Sequence, residues 1–288
     1  MWNKLAYISL GAILICSCQS MEPEVKPEQT ATLTIQASKG LDTKALSLDE
    51  NTLNAYWKST ESVVVYDESG NWRGELGVTP DEGERPSSAT LSGSLDVEGL
   101  TAGDHLTLWT PWRIGGYTGQ EGTLTGENSI EEKYDYASAT IEVATIDEGV
   151  ITATGPAQFD NQQSIYRFGF KENDMALSVR LFVLGAASNQ LVQRISNGET
   201  TYGAFKVKPA AATTDLLYVS VRNESVGPEN TGDTYKFIVV GSDQSAYMCA
   251  KAIPSSVLDR QGKFISARSV AVNKVILPKS NTIATTAW

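Results

Sequence analysis

The sequence has few cysteines, a single histidine and no excess of basic residues. Its 288 residues contain three cysteines, one histidine and 23 Lys and Arg against 34 Asp and Glu, which gives a net charge of −11. A surface this acidic repels phosphate backbones and anionic lipids, so we exclude a role in binding nucleic acid. An acidic surface also keeps an exposed protein soluble.

The scarcity of metal-binding and nucleophilic side chains restricts the chemistry further. His105 has no Cys or His neighbour in the sequence, so it cannot build a zinc site of the usual composition. A catalytic triad would have to use this one residue, which alternation places on a strand face, and we interpret it as structural. Cys249 lies in a strand-like run and is interpreted as a small buried hydrophobe. We expect no metal and no other cofactor.

The first 18 residues have the pattern of an export signal. Lys4 precedes an apolar run over residues 5–15, which is too short to anchor the chain across a bilayer. A branched apolar residue, a free position and a small residue then precede Cys18, as in a lipobox. We therefore expect removal of residues 1–17 and acylation of Cys18, which would hold the chain on a membrane face. The alternative is an ordinary secretory signal with an incidental cysteine.

Residues 18–30 have the composition of a lipid-anchored tether. They contain two prolines and three glutamates with almost no apolar surface. Glu22 and Glu24 loosely resemble the signal that sends lipoproteins to the outer face of the outer membrane in some Gram-negative anaerobes. The sequence thus favours an outer-membrane lipoprotein at the cell surface.

Nearly everything after residue 30 has the pattern of β-strands. Alternating or short apolar runs predict strands over residues 31–36, 63–66, 89–95, 139–145, 150–154, 164–170, 176–184, 215–222, 234–240 and 264–277. The sequence Asp147-Glu148-Gly149 predicts a hairpin between two of these strands. Because no amphipathic helix longer than two turns is predicted, the sequence indicates an all-β protein.

The length of the chain favours two domains. We place an N-terminal β-sandwich over residues 31–158 and a C-terminal β-sandwich over residues 159–275, because turn residues interrupt the strands between residues 154 and 163. Residues 276–288 follow the second domain and end in β-prone sequence and Trp288. Disordered tails are usually poor in such residues, so we favour a docking strand over a frayed terminus.

Several phrases, in order along the chain, resemble the fimbrillin-like proteins, which are the subunits of type V pili in Gram-negative gut and oral anaerobes. The phrases cover residues 43–58, 63–66, 117–124, 133–139, 159–168 and 215–223. Each phrase alone is weakly specific, but the ordered set behind a lipobox is more specific. The resemblance covers most of the chain after Cys18 and implies two tandem transthyretin-like β-sandwiches with a C-terminal extension strand.

The resemblance also implies a mode of assembly. In such proteins a trypsin-like protease removes an N-terminal strand, and a C-terminal strand of another subunit fills the groove. Added strands satisfy the unpaired N–H and C=O groups of a sheet edge, and a heterologous contact of this kind propagates as a fibre. Here the removable strand would be residues 31–36, cut off at Lys39 or Lys44. The best-known members are cut after arginine, which residues 37–45 lack, so cleavage here would need a protease that accepts lysine. The alternative for both lysines is that they are solvated surface residues.

The implied donor strand lies in residues 276–288. Because Pro278 cannot donate to a ladder, we expect the pairing mainly from Thr282 onward. The candidate donor residues are Thr282, Ile283, Ala284, Thr285, Thr286, Ala287 and Trp288.

The leading interpretation is a structural pilus subunit that serves adhesion. Its partners would be other pilus subunits, a trypsin-like protease and the membrane through Cys18. One alternative is a stand-alone surface lipoprotein, or a pilus tip subunit, that binds glycans. The aromatic platform for glycans would be Trp109, Trp112, Tyr117, Tyr134 and Tyr136. The other alternative is a glycosidase with two carboxylates, but no motif selects a pair, and we predict that the chain is not an enzyme.

Overall fold

The computed structural model describes most of the chain after residue 28. The described residues are 29–39, 46–49, 52–111, 115–196, 199–227, 232–253 and 264–275. They are almost entirely β-strand, with a single helical turn, so the all-β prediction is confirmed. The tandem transthyretin-like arrangement stays a prediction.

The first half of the chain contains ten strands and one short helix within the described residues. They are β1 (Thr30–Lys39), β2 (Leu46–Asp49), β3 (Thr52–Ala55), β4 (Ser62–Asp67), β5 (Trp72–Pro80), β6 (Ser88–Asp96), β7 (His105–Thr110), α1 (Ile130–Lys133), β8 (Ala137–Asp147), β9 (Val150–Ala153) and β10 (Ala157–Asn161).

The second half contributes eleven more described strands. They are β11 (Ser164–Glu172), β12 (Met175–Ala176), β13 (Val179–Ala186), β14 (Val192–Ser196), β15 (Glu199–Tyr202), β16 (Phe205–Val207), β17 (Leu217–Val221), β18 (Thr234–Gly241), β19 (Ala246–Ala252), β20 (Phe264–Ala271) and β21 (Asn273–Val275).

The main sheet of the first half closes on itself. Its strand order is β10-β1-β6-β5-β4-β7-β8-β9, and β1 also pairs with β9 while β10 also pairs with β8. These additional pairings join the two ends of the sheet into a barrel-like ring of seven strands. The interior is filled by apolar side chains from every strand of the ring, including Leu33, Val65, Leu91, Leu108 and Val143.

The second half packs two open sheets around a separate core. One sheet has the order β12-β11-β17, with β20 paired in parallel to β11, and the other has the order β16-β13-β18-β19-β21. Phe168 of the first sheet meets Phe182 and Phe237 of the second in edge-to-face contacts, with ring centres 6.0 and 5.0 Å apart. Such contacts add to the free energy of burying aromatic area.

A connection between β7 and β8 joins the two halves. We call residues 115–136 the arm; it includes α1, whose N-cap Ser129 accepts a hydrogen bond from the Glu132 N–H. The buried Gln120 side chain donates to the Ser220 carbonyl at 2.8 Å and accepts from the Ser220 N–H at 2.7 Å. Ile130 packs on Ile165 of β11. The arm therefore covers the outer face of a sheet in the second half.

Several sequence-based expectations change in the structure. Between residues 154 and 163, where an interruption was expected, β10 forms and pairs with both β1 and β8. The predicted boundary after residue 158 falls inside this strand, and Phe159 packs in the core of the first half. The predicted hairpin at residues 147–149 is confirmed, with Glu148 and Gly149 both at positive φ.

The Gln120 contact gives a test of the arm. Gln120→Ala leaves a buried backbone N–H and C=O of Ser220 without their partners, which costs about 1–3 kcal/mol of unfolding free energy. Urea denaturation followed by fluorescence measures the change. The exposed Gln158→Ala serves as the control and should change the unfolding free energy by less than about 0.5 kcal/mol. Equal stability of the two variants would contradict this role for the arm.

Asp233 gives a pH test of the second half. Partial burial opposes ionisation, but hydrogen bonds from Asn223, Ser188, Ser225 and the Thr234 N–H outweigh it and lower the Asp233 pKa from 3.8 to about 2. The stabilisation is therefore complete above pH 3.8 and is lost as the pH falls through about 2. We expect Asp233→Asn to be less stable than the parent at pH 6 and to lose less stability on going to pH 2, as measured by thermal unfolding. A constant difference at all pH values would contradict this assignment.

Candidate functional site

β1 is the strand that closes the barrel. Its whole length pairs antiparallel with β6, from Thr30 opposite Asp96 to Ser38 opposite Ser88. Its other side pairs in parallel with β9 near the start of the strand and with β10 near its end. Because β1 is the first strand of the described chain and has partners on both sides, its departure would open the ring along two edges.

The two faces of β1 differ in chemistry. Ala31, Leu33, Ile35 and Ala37 point into the barrel and are at most 7% exposed, as period-two alternation requires. The outward residues are polar, and two of them bond to β6: Thr34 Oγ1 lies 2.9 Å from Ser92 Oγ, and the Gln36 amide donates to Thr90 Oγ1 at 2.8 Å. The inner face therefore contributes buried apolar area, and the outer face adds cross-strand hydrogen bonds.

Lys39 is the last inward residue of β1, and its ammonium group is buried. Its Nζ lies 2.7 Å from Glu61 Oε2, donates to the Tyr56 carbonyl at 2.9 Å and lies 4.0 Å from the centre of the Trp57 ring. The Lys39 side chain is 0% exposed and that of Glu61 is 7% exposed. We call Glu61, the Tyr56 carbonyl and the Trp57 ring face the ammonium pocket. Carboxylate, carbonyl and indole together match a primary ammonium ion.

Packing fixes the position of the ammonium pocket. Trp57 is 1% exposed and meets Phe159 edge-to-face at 5.3 Å. Phe159 of β10 is also the register partner of Lys39. On the other side of the strand, the Lys39 N–H donates to the Ser87 carbonyl at 2.9 Å. The end of β1 is therefore held by its side chain in the ammonium pocket and by its backbone against Ser87.

Of the predicted site residues, Lys39 is described by the structure and the others are not. Lys39 is a buried ion-pair partner, so its interpretation as a solvated surface lysine is wrong. Cys18, Lys44 and the candidate donor residues Thr282 to Trp288 lie outside the described residues. The proposed roles of Lys44, Cys18 and the donor strand therefore stay predictions.

Two of the aromatic residues suggested as a glycan platform are buried in the structure. Tyr117 is 0% and Tyr136 3% exposed, and their rings meet edge-to-face at 5.5 Å. Trp109 is half-buried against this pair, and Trp112 lies outside the described residues. Tyr117, Tyr136 and Trp109 pack where the arm meets β14, and the fifth residue, Tyr134, is half-buried against Ile130 and Ile165. The glycan-binding alternative therefore stays a prediction without Tyr117 and Tyr136 as exposed residues.

His105 and Cys249 contact only ordinary surface and core residues among those described. His105 is exposed, and its Nδ1 lies 2.9 Å from Glu68 Oε1. Cys249 packs against the core of the second half, and burial raises its thiol pKa to about 11. Among the described residues, no group of three or more His, Cys, Asp and Glu side chains could hold a metal ion. Within the same residues, no helix is long and apolar enough to cross a membrane.

The pocket residues Glu61 and Trp57 were not anticipated from the sequence. One signal was available: the alternation that predicts a strand over residues 31–36 places Lys39 on the inner face if it continues for three more residues. A lysine on an inner face requires a buried counter-charge. The sequence does not show which carboxylate supplies it, because Glu61 is 22 residues away.

The ammonium pocket gives a stability test. Lys39→Met leaves Glu61 buried without its counter-charge and should lower the unfolding free energy by about 3–5 kcal/mol. The double variant Lys39→Met/Glu61→Leu removes both charges and should recover most of the loss. Lys58→Met, which breaks an ion pair with Glu131 on a side chain that is 39% exposed, should cost less than about 1 kcal/mol. Urea denaturation measures all three, and a single variant at position 39 that is as mild as Lys58→Met would contradict the buried pair.

No family model matches the chain, and no curated protein gives a significant match. Several solved structures are similar to it over most of its length. A candidate adhesin of Bacteroides ovatus is 12% identical with a TM-score of 0.41, over 86% of this chain and 93% of that chain. A candidate cell adhesion protein of the same species is 14% identical with a TM-score of 0.40, over 85% of this chain and 95% of that chain.

A fimbrial protein is also among the similar structures. The tip fimbrial protein Mfa3 of Porphyromonas gingivalis, with a C-terminal truncation, is 11% identical with a TM-score of 0.35, over 78% of this chain and 81% of that chain.

Proposed function

We propose that this chain is a structural subunit of a cell-surface type V pilus, assembled by strand exchange and serving adhesion. The observation that carries the proposal is the position of β1: the first described strand, buried on one face and paired on both edges. A fold that depends on such a strand can exchange it for a strand of another molecule. The proposal includes two tandem transthyretin-like β-sandwiches and attachment to the outer membrane through lipid on Cys18.

Loss of β1 would leave the subunit in need of a replacement. The N–H and C=O groups of β6, β9 and β10 that now face β1 would have no partners. The side chains of Leu33 and Ile35 would leave a channel lined by the barrel core. An extended strand supplies both the hydrogen bonds and the apolar side chains, which is the chemistry of β-augmentation. The donor would be the candidate strand that ends at Trp288 of another subunit.

The burial of Lys39 supports Lys44 as the processing site. A trypsin-like protease must take the lysine side chain into its own pocket, and Lys39 cannot leave without breaking its pair with Glu61 and its strand pairing. Lys44 is then the remaining basic residue between β1 and β2. A cut there would break the covalent connection between β1 and β2, while the described non-covalent contacts of β1 would remain.

The addition of donor strands gives an open assembly. Each subunit offers a tail to one neighbour and a groove to another, so the two contact surfaces differ. A heterologous contact of this kind extends into a fibre when its rotation does not close. The membrane lipid and the other pilus subunits are the partners in this proposal.

Limited trypsin treatment of residues 19–288, expressed without lipid, tests the proposal. We expect one early cut after Lys44, so that N-terminal sequencing of the large fragment begins at Ala45. The cut protein should then form a ladder of multimers on an unheated denaturing gel, and boiling should abolish the ladder.

Two variants serve as controls for this experiment. Lys44→Gln should remain uncut and monomeric, and deletion of residues 282–288 should permit the cut but not the ladder. A clean monomer after a complete cut at Lys44 would contradict strand exchange. An early cut at Lys39 would contradict the choice of processing site without contradicting assembly.

A further inference from the structure

We infer that the ammonium pocket fixes the direction and register of the incoming strand, with Lys279 of a second copy taking the place of Lys39. The inference rests on the proposed strand exchange and specifies the contact that it would make. Departure of β1 removes the counter-charge of Glu61, whose side chain is 7% exposed. A buried carboxylate without a partner is costly, so the incoming strand has to bring a cation to this point.

The tail contains one cation that can do so. The residues after β21 include a single basic side chain, Lys279, and the chain ends nine residues later at Trp288. Residues 279–288 therefore number ten, the same as β1. If Lys279 lies at position 39 and the tail runs opposite to β1, Trp288 lies at position 30, where β1 begins. With Lys279 at position 39, a tail that runs in this direction therefore covers the groove from the end of β1 to its beginning.

Side-chain chemistry along the strand agrees with the same register. Alternation turns Lys279, Asn281, Ile283, Thr285 and Ala287 inward, at the positions of Lys39, Ala37, Ile35, Leu33 and Ala31. Ile283 and Ala287 are identical to the residues that they replace. Thr285 is smaller than Leu33 and Asn281 is larger than Ala37, so the tail fits the groove less well than β1 does.

Three of the outward residues also correspond. Ser280, Thr282 and Thr286 come to the positions of Ser38, Gln36 and Thr32 and keep these three outward positions polar, whereas Ala284 and Trp288 come to the positions of Thr34 and Thr30. A slip of one residue would turn Ile283 out to solvent and the neighbouring residues in. Pro278, which cannot donate to a ladder, lies just beyond the paired ten residues.

A tail that runs in the same direction as β1 cannot both fill the groove and bring a cation to the ammonium pocket. With Ile283 at position 35, Lys279 would lie at position 31, among core residues such as Leu95 and Leu33. No lysine or arginine follows Lys279, so position 39 would receive no cation. Placing Lys279 itself at position 39 in this direction would carry residues 280–288 out of the groove. Only the opposite direction lets Lys279 pair with Glu61 while the rest of the tail fills the groove.

A peptide-capture experiment tests the register. A chain that lacks residues 279–288, so that its own tail cannot compete, is cut by trypsin after Lys44 and incubated with a fluorescent peptide of residues 276–288, and capture is measured by anisotropy after removal of free peptide. We expect Lys279→Gln in the peptide to weaken capture at least about tenfold, because it leaves Glu61 unpaired. Ser280→Gln, which changes the adjacent outward residue, is the matched control and should change capture less than about twofold.

A reciprocal substitution in the receptor isolates the pair. On Glu61→Gln chains the parent and Lys279→Gln peptides should be captured within about threefold of each other, because the interaction energy of the pair is gone. Glu75→Gln, an exposed outward residue of β5, should leave the tenfold difference intact. Persistence of the difference on Glu61→Gln chains would overturn the assignment of Glu61.

The direction of the strand is tested by disulfide trapping. A peptide with Trp288→Cys should cross-link to a chain with Asp96→Cys, which faces position 30, rather than to one with Ser88→Cys, which faces position 38. Preference for the Ser88→Cys chain would overturn the direction. Capture that ignores Lys279 would overturn the register while leaving strand exchange intact. Failure of the cut chain to capture any peptide would contradict the proposed function itself, and this inference with it.

Discussion

The pairing of β1 on both of its edges is the constraint on which the first half of this protein depends. Without β1, the ends of the sheet at β6 and at β9 and β10 would face each other unpaired, and the core side chains of the ring would lose Leu33 and Ile35. Closed sheets have no edges and so avoid uncontrolled pairing with other chains. Here β1 supplies that protection, and it is the first of the ring strands along the chain. A single cut after β1 would therefore separate it from all the other strands of the ring.

A buried ion pair at the end of this strand adds selectivity more than stability. Replacing such a pair by apolar groups is often neutral, whereas removing one partner is costly. In the proposed exchange, Glu61 would therefore make the groove discriminate between strands that bring an ammonium group to this point, as Lys39 does, and strands that do not. Hydrophobic alternation alone is common in β proteins, so a charge at a defined position narrows the set of strands that fit.

Strands whose side chains alternate could be predicted from the sequence. Features that depend on close backbone approach or on contacts between distant segments could not. β1 and the turn at Glu148 and Gly149 follow from local patterns. β5 was missed because Gly74 and Gly77 interrupt its alternation. In the structure, a Cβ at Gly74 would come within 2.7 Å of the Ser94 carbonyl oxygen, so this glycine permits the close approach of β5 and β6 rather than a turn. The burial of Tyr117 and Tyr136 depends on the arm reaching the second half, a long-range contact that no local pattern encodes.

The relative fit of β1 and the tail explains why a cut would be needed for exchange. While β1 is covalently joined to the barrel, its effective concentration in the groove exceeds that of any tail from another molecule. Its inner side chains Leu33 and Ala37 also suit the core better than Thr285 and Asn281 would. Cleavage removes the advantage in effective concentration but not the better fit of the inner side chains. A cut subunit should therefore retain β1 until a tail is present at high local concentration. Assembly would then be favoured where subunits are crowded, as on a membrane surface, and the intact chain would remain a closed monomer before processing.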